Sequence, residues 1–530
     1  MKRIPRWAFR ALAVLMTMAA IFGQAATLRA QEPAKEAALA EDAKPAEAKP
    51  APEASVPKEE SSVTEHILRI AGQTIPYKAT ASTTLLKNDK GEPVASVFSI
   101  AYVRTDVKDS AQRPIAFIYN GGPGSSSVWL HMGAFGPRRL VTRSAAPTGP
   151  APYQLVDNAS CLLDKADLVF IDPVGTGFSR AVGKGQNKDF WGINQDVKSL
   201  AKFVGVYVNR NSRWNSPKFL IGESYGTFRS VALANYLQSH DGMYINGIVL
   251  VSSVLDMNTL EFNTGDDMPY IFYVPSYAAS AWYYQMLKNR PEDLSAFVKD
   301  ARAFATTEYA AALMKGSNLG EAEKAEVAKK LAAFTGLSEE YLINANLRVR
   351  LSQFEAEFAR RRKLTVGRYD SRYSGATYDL LTENAEYDPS YSAVQGAFTA
   401  ALNKYVREDL KFTSELTYEI LSGEVEKQWD WKHNPGPDGD PGAPSVNDDL
   451  VQAFLANPNL QVEVENGFFD LATPFFATEY TMDHLGLPAN LHSRIHFDYY
   501  ASGHMIYLNE EELPKLKNNV ANFVDSATKP

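Results

Sequence analysis

The sequence contains a single cysteine, Cys161, among 530 residues. One cysteine excludes an intramolecular disulfide, so a hydrophobic core must hold the fold together. Lysine and arginine do not cluster with aromatic residues, and the formal net charge is −8. A nucleic acid is therefore not an expected partner. No phosphate-binding glycine loop and no zinc or EF-hand spacing occurs in the sequence, so we expect no cofactor and no metal.

The N-terminus has the composition of an export signal. A basic stretch, Met1–Arg10, is followed by an apolar stretch, Ala11–Ala26, and then by small residues around Ala30. This order predicts a secretory signal over residues 1–30. The apolar stretch is short for a membrane span, although an uncleaved anchor is the alternative. We expect an exported protein, periplasmic or secreted, with no stable membrane span after cleavage.

The next segment, residues 31–62, is rich in Ala, Pro, Glu and Lys and contains no aromatic residue. Such a composition buries too little apolar surface to offset the entropy of ordering, so a disordered linker is predicted. Alternating apolar and polar residues then predict antiparallel hairpins, with a turn at Lys87–Pro93. After residue 255 the apolar residues recur at helical spacing. We predict a first core segment at 63–255, a helical cap inserted at 256–445, and a second core segment at 446–530.

Several apolar runs rich in β-branched residues lie further along the chain. Near-continuous runs of this kind, separated by helical segments such as Asn194–Arg210, are typical of buried parallel strands. They therefore predict an α/β core. The runs are Ile115–Tyr119, Ala166–Asp172, Lys218–Gly222 and Gly247–Ser253, with the strand-like Leu460–Gly467 following the helical segment.

A G-x-S-x-G motif places Ser224 between Gly222 and Gly226. An apolar strand precedes the motif and a helical pattern follows it, which is the arrangement of a nucleophile on a sharp strand-to-helix turn. The alternative is a tight turn without a chemical role. A serine hydroxyl is a weak nucleophile, so the functional interpretation requires a histidine base and an acid that orients it.

The histidine most consistent with that role is His504, in a glycine-containing loop directly after an apolar strand. The alternatives, His492 and His496, lie on or beside that strand. Asp470 follows the strand-like Leu460–Gly467, and the chain order serine, aspartate, histidine is that of the α/β-hydrolase triad. The rival carboxylates are Asp483 and Asp498.

The glycine-rich stretch Tyr119–Ser127, sequence YNGGPGSSS, offers backbone N–H groups that can approach a ligand without a Cβ in the way. A second N–H donor would come from Tyr225, the residue after the candidate nucleophile. The pair could stabilise the oxyanion of an acyl-transfer intermediate. A plain loop is the alternative interpretation.

The motifs NGGPGSSS, GESYG, NGFFD and GHM, in this order, resemble those of the serine carboxypeptidases. That α/β-hydrolase family removes C-terminal residues from peptides, usually at acidic pH. The resemblance covers Pro114–Ser253 and Leu460–Tyr507. It implies an α/β-hydrolase fold with a mostly parallel sheet, N-terminal antiparallel hairpins and an inserted helical cap, and it implies peptide substrates. It also implies residue roles: Ser224 as nucleophile, His504 as base, Asp470 as its orienter, Gly122 and Tyr225 as the oxyanion hole, and Asn120, Gly121 and a protonated Glu223 as binders of the terminal carboxylate.

The sequence departs from the family in two places. Eukaryotic members have a cysteine where Ser125 stands, so we expect a bacterial-type member. The family also has a second carboxylate-binding glutamate at the position of Ala134. Two nearby carboxyls raise a pKa, so the loss of one predicts activity shifted toward neutral pH or a weaker requirement for a free terminus. Arg138 and Arg139 could supply charge instead, although solvent-facing arginines are the more common case.

The predicted function is that of an exported serine carboxypeptidase that acts through an acyl-enzyme. An esterase or acyltransferase with the same triad is the first alternative, because the triad itself does not select the acyl acceptor. A catalytically silent binding protein of hydrolase fold is the second. Its usual sign is a missing triad residue, and none is missing here.

Overall fold

The computed structural model describes residues 56–433 and 443–529. The predicted signal, residues 1–30, and most of the predicted linker, 31–62, lie outside these residues. None of the described helices is both long enough and apolar enough to cross a membrane.

The strands form one large sheet and two short hairpins. They are β1 (Ser61–Ile70), β2 (Gln73–Lys87), β3 (Pro93–Arg104), β4 (Ile115–Tyr119), β5 (Arg138–Leu140), β6 (Leu155–Asp157), β7 (Asp167–Ile171), β8 (Arg180–Ala181), β9 (Lys218–Ser224), β10 (Gly247–Ser253), β11 (Leu364–Val366), β12 (Ser374–Ala376), β13 (Gln461–Gly467) and β14 (Ile495–Tyr500). The large sheet has the order β1-β2-β3-β7-β4-β9-β10-β13-β14, with β8 paired to β3. The hairpins are β5-β6 and β11-β12.

The pairing changes from antiparallel to parallel across the large sheet. Strands β1, β2, β3 and β7 pair antiparallel, whereas all pairs from β7 through β4, β9, β10 and β13 to β14 are parallel. Strands β4, β7, β9 and β10 consist almost entirely of buried residues, because helices cover both faces of a parallel sheet. The predicted hairpins and the predicted α/β core are both confirmed.

The α-helices pack around this sheet and beyond it. They are α1 (Ile193–Arg210), α2 (Tyr225–His240), α3 (Met268–Tyr283), α4 (Leu294–Phe304), α5 (Ala310–Met314), α6 (Glu321–Thr335), α7 (Glu339–Asn344), α8 (Leu351–Glu357), α9 (Pro389–Ser392), α10 (Gln395–Lys404), α11 (Gly423–Gln428), α12 (Asn447–Ala456), α13 (Phe475–Asp483), α14 (Ala489–His492) and α15 (Leu513–Ala527). Two apolar clusters lie on the two faces of the sheet. One includes residues of α15 and the other includes residues of α1 and α2.

Helices α3 to α11 fall within the segment predicted as a cap, 256–445. A third apolar cluster gathers residues of α3, α5, α6 and α8, so much of this segment has a core of its own. The segment also contains the hairpin β11-β12 and the loop after it. The connection between β11 and β12 and the turns around α11 line a cleft at the carboxyl ends of the parallel strands, where ligands of α/β proteins usually bind.

Candidate active site

Ser224 is the last residue of β9, and Tyr225 is the first residue of α2. The backbone of Ser224 has φ 60° and ψ −132°, a strained conformation for a residue with a side chain. The two glycines permit the turn: a Cβ on Gly222 would lie 2.1 Å from the carbonyl oxygen of Gly226. The G-x-S-x-G motif therefore forms a sharp strand-to-helix turn with Ser224 at its tip.

His504 and Asp470 come together beside this turn. His504 Nδ1 lies 2.8 Å from Asp470 Oδ2, and both residues are buried. The other carboxylate oxygen accepts hydrogen bonds from the backbone N–H groups of Ala472 and Thr473, at 2.8 and 3.0 Å. The Thr473 hydroxyl donates to Asp470 Oδ2 at 2.7 Å and lies 3.1 Å from His504 Nδ1. Burial lowers the pKa of His504, but the Asp470 carboxylate raises it above the ordinary value overall.

The rival histidines and carboxylates lie elsewhere. His492 faces Asp483 at 3.4 Å on the protein surface. His496 is exposed on β14, and Asp498 lies two residues further along the same strand. None of the four lines the cleft that contains Ser224.

Asp498 instead belongs to a group of three carboxylates with Glu463 and Glu465. Their nearest oxygens lie within 4.8 Å of one another, the one such arrangement among the described residues that could hold a metal. Burial and the neighbouring Asp498 raise the pKa of Glu463 to about 8, so this carboxyl is largely protonated at neutral pH. Tyr500 donates to Glu465 Oε2 at 2.5 Å. A proton on Glu463 reduces the repulsion between this carboxyl and Asp498.

The glycine-rich loop after β4 lies against the turn at Ser224. A Cβ on Gly121 would be 2.4 Å from the backbone nitrogen of Tyr225, so this approach requires glycine. Gly122 follows with φ +101°, a conformation that also favours glycine. The loop backbone and the first turn of α2 therefore border Ser224 together, and they contain the two predicted oxyanion donors, the N–H groups of Gly122 and Tyr225.

Glu223 is buried next to Ser224 and contacts the same loop. Asn120 Nδ2 donates to Glu223 Oε1 at 2.8 Å, while Asn120 Oδ1 accepts from the backbone N–H of Leu130 at 3.1 Å. Burial raises the pKa of Glu223 to about 7, although His504 and the adjoining Tyr507 hydroxyl favour its charged form. Among the described residues, neither Glu223 Oε2 nor the Tyr507 hydroxyl has a hydrogen bond of standard geometry. We therefore regard the contact with Tyr507 as loose.

A single cleft of about 270 Å³ collects almost all of the predicted residues. Asp470 is the exception, because it lies behind His504. The segment 256–445 contributes Arg368, Tyr369, Glu426 and Trp431 to the cleft wall. The predicted residues that line it are Asn120, Gly121, Gly122, Glu223, Ser224, Tyr225 and His504.

Ala134 is fully buried and offers no polar side chain toward Glu223. Arg138 and Arg139, the two arginines that could supply charge instead, do not line the cleft. Arg138 pairs with Asp157 at 2.7 Å and Arg139 approaches Glu510 at 3.5 Å, and both acidic partners are exposed. These arginines therefore do not replace the missing glutamate.

Several residues that serve the site were not singled out from the sequence: Thr473, Tyr507, Arg229 and Arg368. Arg229 lies on α2 behind the turn, where its Nε donates to Asp196 Oδ2 at 2.6 Å. Its Nη1 also donates to the carbonyl oxygen of Asn120, so a buried ion pair supports the glycine-rich loop. A charged residue among the apolar residues of α2 was the available signal, and Thr473 could have been inferred from its position three residues after Asp470.

Known proteins resemble this chain in fold and in sequence. The solved structure of Kex1(delta)p, a prohormone-processing carboxypeptidase from Saccharomyces cerevisiae, is similar with a TM-score of 0.52 and 16% identity, over 85% of this chain and 91% of that chain. That likeness shows the α/β-hydrolase fold, as predicted. Pheromone-processing carboxypeptidase KEX1 of Cryptococcus gattii is 32% identical over 141 residues, which is 26% of this chain and only 19% of that relative. The model of the serine carboxypeptidase family matches residues 99–505. Since this match spans most of the chain, the protein belongs to the serine carboxypeptidase family.

Proposed function

We propose that this protein is an exported serine carboxypeptidase that removes C-terminal residues from peptides through an acyl-enzyme. The observation that carries the proposal is the 2.8 Å contact between His504 and Asp470 beside the strained turn that presents Ser224 to the same cleft. Membership of the serine carboxypeptidase family supports the same activity.

In the first step, Ser224 Oγ attacks the carbonyl carbon of the scissile peptide bond. His504 Nε2 accepts the hydroxyl proton, because Nδ1 faces Asp470. The carboxylate of Asp470 keeps the ring in that tautomer and stabilises the imidazolium that forms. Its four hydrogen-bond contacts hold it in place, so the ring does not have to reorient during the reaction.

The attack places a negative charge on the former carbonyl oxygen. We assign its stabilisation to the backbone N–H groups of Gly122 and Tyr225, which border Ser224. The C–N bond then breaks, the imidazolium gives its proton to the departing amine, and an ester to Ser224 remains. His504 then takes a proton from a water molecule, whose oxygen attacks the ester carbon. The bond from this carbon to Ser224 Oγ breaks, the imidazolium returns its proton to Ser224 Oγ, and the shortened peptide leaves with a new terminal carboxylate.

Selection for a chain end requires a group that binds the terminal carboxylate. Asn120, Gly121 and Glu223 lie side by side in the cleft next to Ser224. A protonated Glu223 can donate a hydrogen bond to a carboxylate, whereas an ionised Glu223 would repel it. The pKa of about 7 keeps a large part of this residue protonated at mildly acidic and neutral pH.

The proposal of export rests on residues 1–30, in which a basic stretch is followed by an apolar stretch and then by small residues. N-terminal sequencing of the protein recovered from the host's periplasm or medium tests it. A first residue close to Gln31 is expected. Recovery of only the full-length chain would favour the uncleaved anchor.

The activity is tested by following release of the C-terminal amino acid from an N-blocked dipeptide. The dipeptide amide and a simple aryl ester serve as comparison substrates, and each is assayed at acidic and neutral pH. Ser224→Ala is the control variant. We expect release from the free acid to exceed release from the amide by a large factor and to disappear in Ser224→Ala.

Cleavage of the ester alone would make the protein an esterase and contradict the proposal. Turnover of none of the substrates would favour a silent binding protein. Equal release from the free acid and the amide would contradict the role given to the carboxylate-binding residues, while it would leave the serine mechanism intact.

A further inference from the structure

Arg368 contributes a cationic side chain to the cleft that contains Ser224. Its side chain is exposed and lines the cleft together with Ser224 and His504. Within residues 56–433 and 443–529, its guanidinium makes no hydrogen bond and has no carboxylate within ion-pair distance. The guanidinium lies over the ring of Tyr369, 5.6 Å from the ring centroid. An unpaired arginine facing a substrate cleft is available to a ligand.

The backbone at Arg368 is held firmly against the residues beside Ser224. The carbonyl of Arg368 accepts a hydrogen bond from Leu471 at 3.0 Å, and the carbonyl of Tyr369 accepts one from the backbone N–H of His504 at 2.6 Å. The N–H of Arg368 donates to Asp388 Oδ1 at 3.2 Å. The chain is thus fixed on both sides of this residue, and only the side chain is left free.

The charged groups around Arg368 do not neutralise it fully. Burial raises the pKa of Glu355 to about 8, so this carboxyl is mostly protonated at neutral pH. Burial also raises the pKa of Glu426, which lines the cleft with Arg368. Asp388 is a nearby carboxylate whose charge favours the charged form of Arg368, but it lies beyond ion-pair distance, and its Oδ1 accepts from backbone N–H groups and the Ser390 hydroxyl. On the other side stands His504, which becomes cationic during the reaction.

From this arrangement we infer that Arg368 binds a carboxylate of the substrate. The inference rests on the proposed peptidase function. A guanidinium binds carboxylates through two parallel N–H donors and stays charged at all physiological pH values. Glu223, in contrast, loses its ability to donate as the pH passes about 7. Arg368 therefore supplies affinity for anionic substrates where Glu223 no longer does.

Two carboxylates of a peptide could reach the cleft: the terminal α-carboxylate and an acidic side chain next to the scissile bond. Four N-blocked dipeptides distinguish them, namely Phe-Leu as free acid, Phe-Leu as amide, Phe-Glu and Glu-Leu. Their affinities are measured by calorimetry at pH 8 in the Ser224→Ala background, so that no turnover is required. Arg368→Gln is compared with Arg361→Gln, which removes the same charge from an exposed position outside the cleft.

If Arg368 binds the α-carboxylate, Arg368→Gln lowers the affinity for the three free acids by roughly 10- to 100-fold, which corresponds to the loss of a charged hydrogen bond. The affinity for the amide then stays unchanged. If it binds an acidic side chain, only Phe-Glu or Glu-Leu is weakened. Arg361→Gln leaves the affinity for all four dipeptides unchanged. An equal loss of affinity for all four dipeptides would assign Arg368 a structural role. Unchanged affinity for all four would show that its side chain is only solvated. Either result would overturn the inference.

The test is independent of the proposed activity. Cleavage of an aryl ester by Arg368→Gln with Ser224 intact reports whether the serine and histidine still function. Loss of ester cleavage would mean that Arg368→Gln has disturbed the site. The affinity measurements are then made with Arg368→Lys, which keeps the charge but not the two-donor geometry. Partial retention of free-acid affinity in Arg368→Lys is expected, and affinity no better than in Arg368→Gln would contradict a charge contact.

Discussion

Asn120 and Glu223, which are 103 positions apart in the chain, are joined by a hydrogen bond of 2.8 Å at the ends of two neighbouring parallel strands. The bond occupies one carboxyl oxygen of Glu223 and leaves the other, Oε2, buried without a standard hydrogen bond to the described residues. Burial holds the pKa of this group at about 7, well above that of an exposed glutamate.

A rise in KM with pH is the first consequence. Below pH 7 Glu223 is mostly protonated and can donate to a substrate carboxylate; above pH 7 it is mostly ionised and repels it. The KM of a free-acid dipeptide should therefore increase as the pH rises through about 7, whereas the KM of an aryl ester should not. Glu223→Gln, which always carries a donor, should flatten the free-acid profile. Equal profiles for both substrates in the parent protein would contradict this assignment.

Tyr507 tunes the same group. Its hydroxyl favours the charged form of Glu223, so it lowers the pKa of that carboxyl. Tyr507→Phe should raise the pKa and move the increase in KM to higher pH. Tyr309→Phe, which removes a buried hydroxyl bonded to Leu347, is the matched control and should leave the profile in place. A Tyr507→Phe profile superimposable on the parent would show that the contact is too loose to matter.

Thr473 contacts both His504 and Asp470 through one hydroxyl. Thr473→Val should lower kcat by up to about tenfold, because a typical hydrogen bond contributes about 1 kcal/mol. Little change in KM is expected. Thr478→Val removes a neighbouring buried hydroxyl that bonds only the carbonyl of Ser253, and it should be close to neutral. Similar losses in the two variants would indicate a packing effect and not support of the histidine.

Sequence patterns predicted much of the site because it depends on local backbone geometry. The strand-turn-helix pattern around Ser224 follows from two glycines and a change of hydrophobic period, which the sequence displays directly. The order of Ser224, Asp470 and His504 limited the choice of partners further. The structure adds that Asp470 and His504 lie within hydrogen-bond distance, a long-range fact that no local pattern contains.

The residues that were missed act through contacts far apart in sequence. Arg368 lies in a short loop of the helical segment, and only the folded chain brings it into the cleft with His504. Tyr507 resembles an ordinary core tyrosine until Glu223 is placed beside it. Hydrophobic periodicity finds the faces of helices and strands, but it cannot show which polar side chains converge from different elements.

Gly121 provides a direct test of the contact between the glycine-rich loop and the turn at Ser224. A Cβ at this position would lie 2.4 Å from the backbone nitrogen of Tyr225, and backbone atoms cannot move away easily. A shift of about 1 Å at a reacting group can cost roughly 100-fold in rate, so Gly121→Ala should lower kcat/KM by at least about that factor. Gly423→Ala meets no atom within 4 Å and should be neutral. Full activity in Gly121→Ala would refute the close approach.

The ion pair between Arg229 and Asp196 connects the stability of the fold to the site. Both side chains are buried, at 1% and 3% exposure, so removing one charge leaves the other uncompensated. Arg229→Met should lower the free energy of unfolding by about 3 to 5 kcal/mol, whereas Lys315→Ala, which breaks the exposed pair with Glu323, should cost no more than about 1 kcal/mol.

Urea unfolding of Arg229→Met, of Lys315→Ala and of the double variant Asp196→Leu/Arg229→Met measures these changes in the free energy of unfolding. The double variant should be more stable than Arg229→Met, because no unpaired charge remains buried in it. Its activity should nevertheless stay low, since Arg229 also donates to the carbonyl of Asn120 and so positions the loop next to Ser224. Recovery of both stability and activity would mean that the pair serves the core alone, and recovery of neither would mean that the arginine side chain itself fills space that methionine cannot.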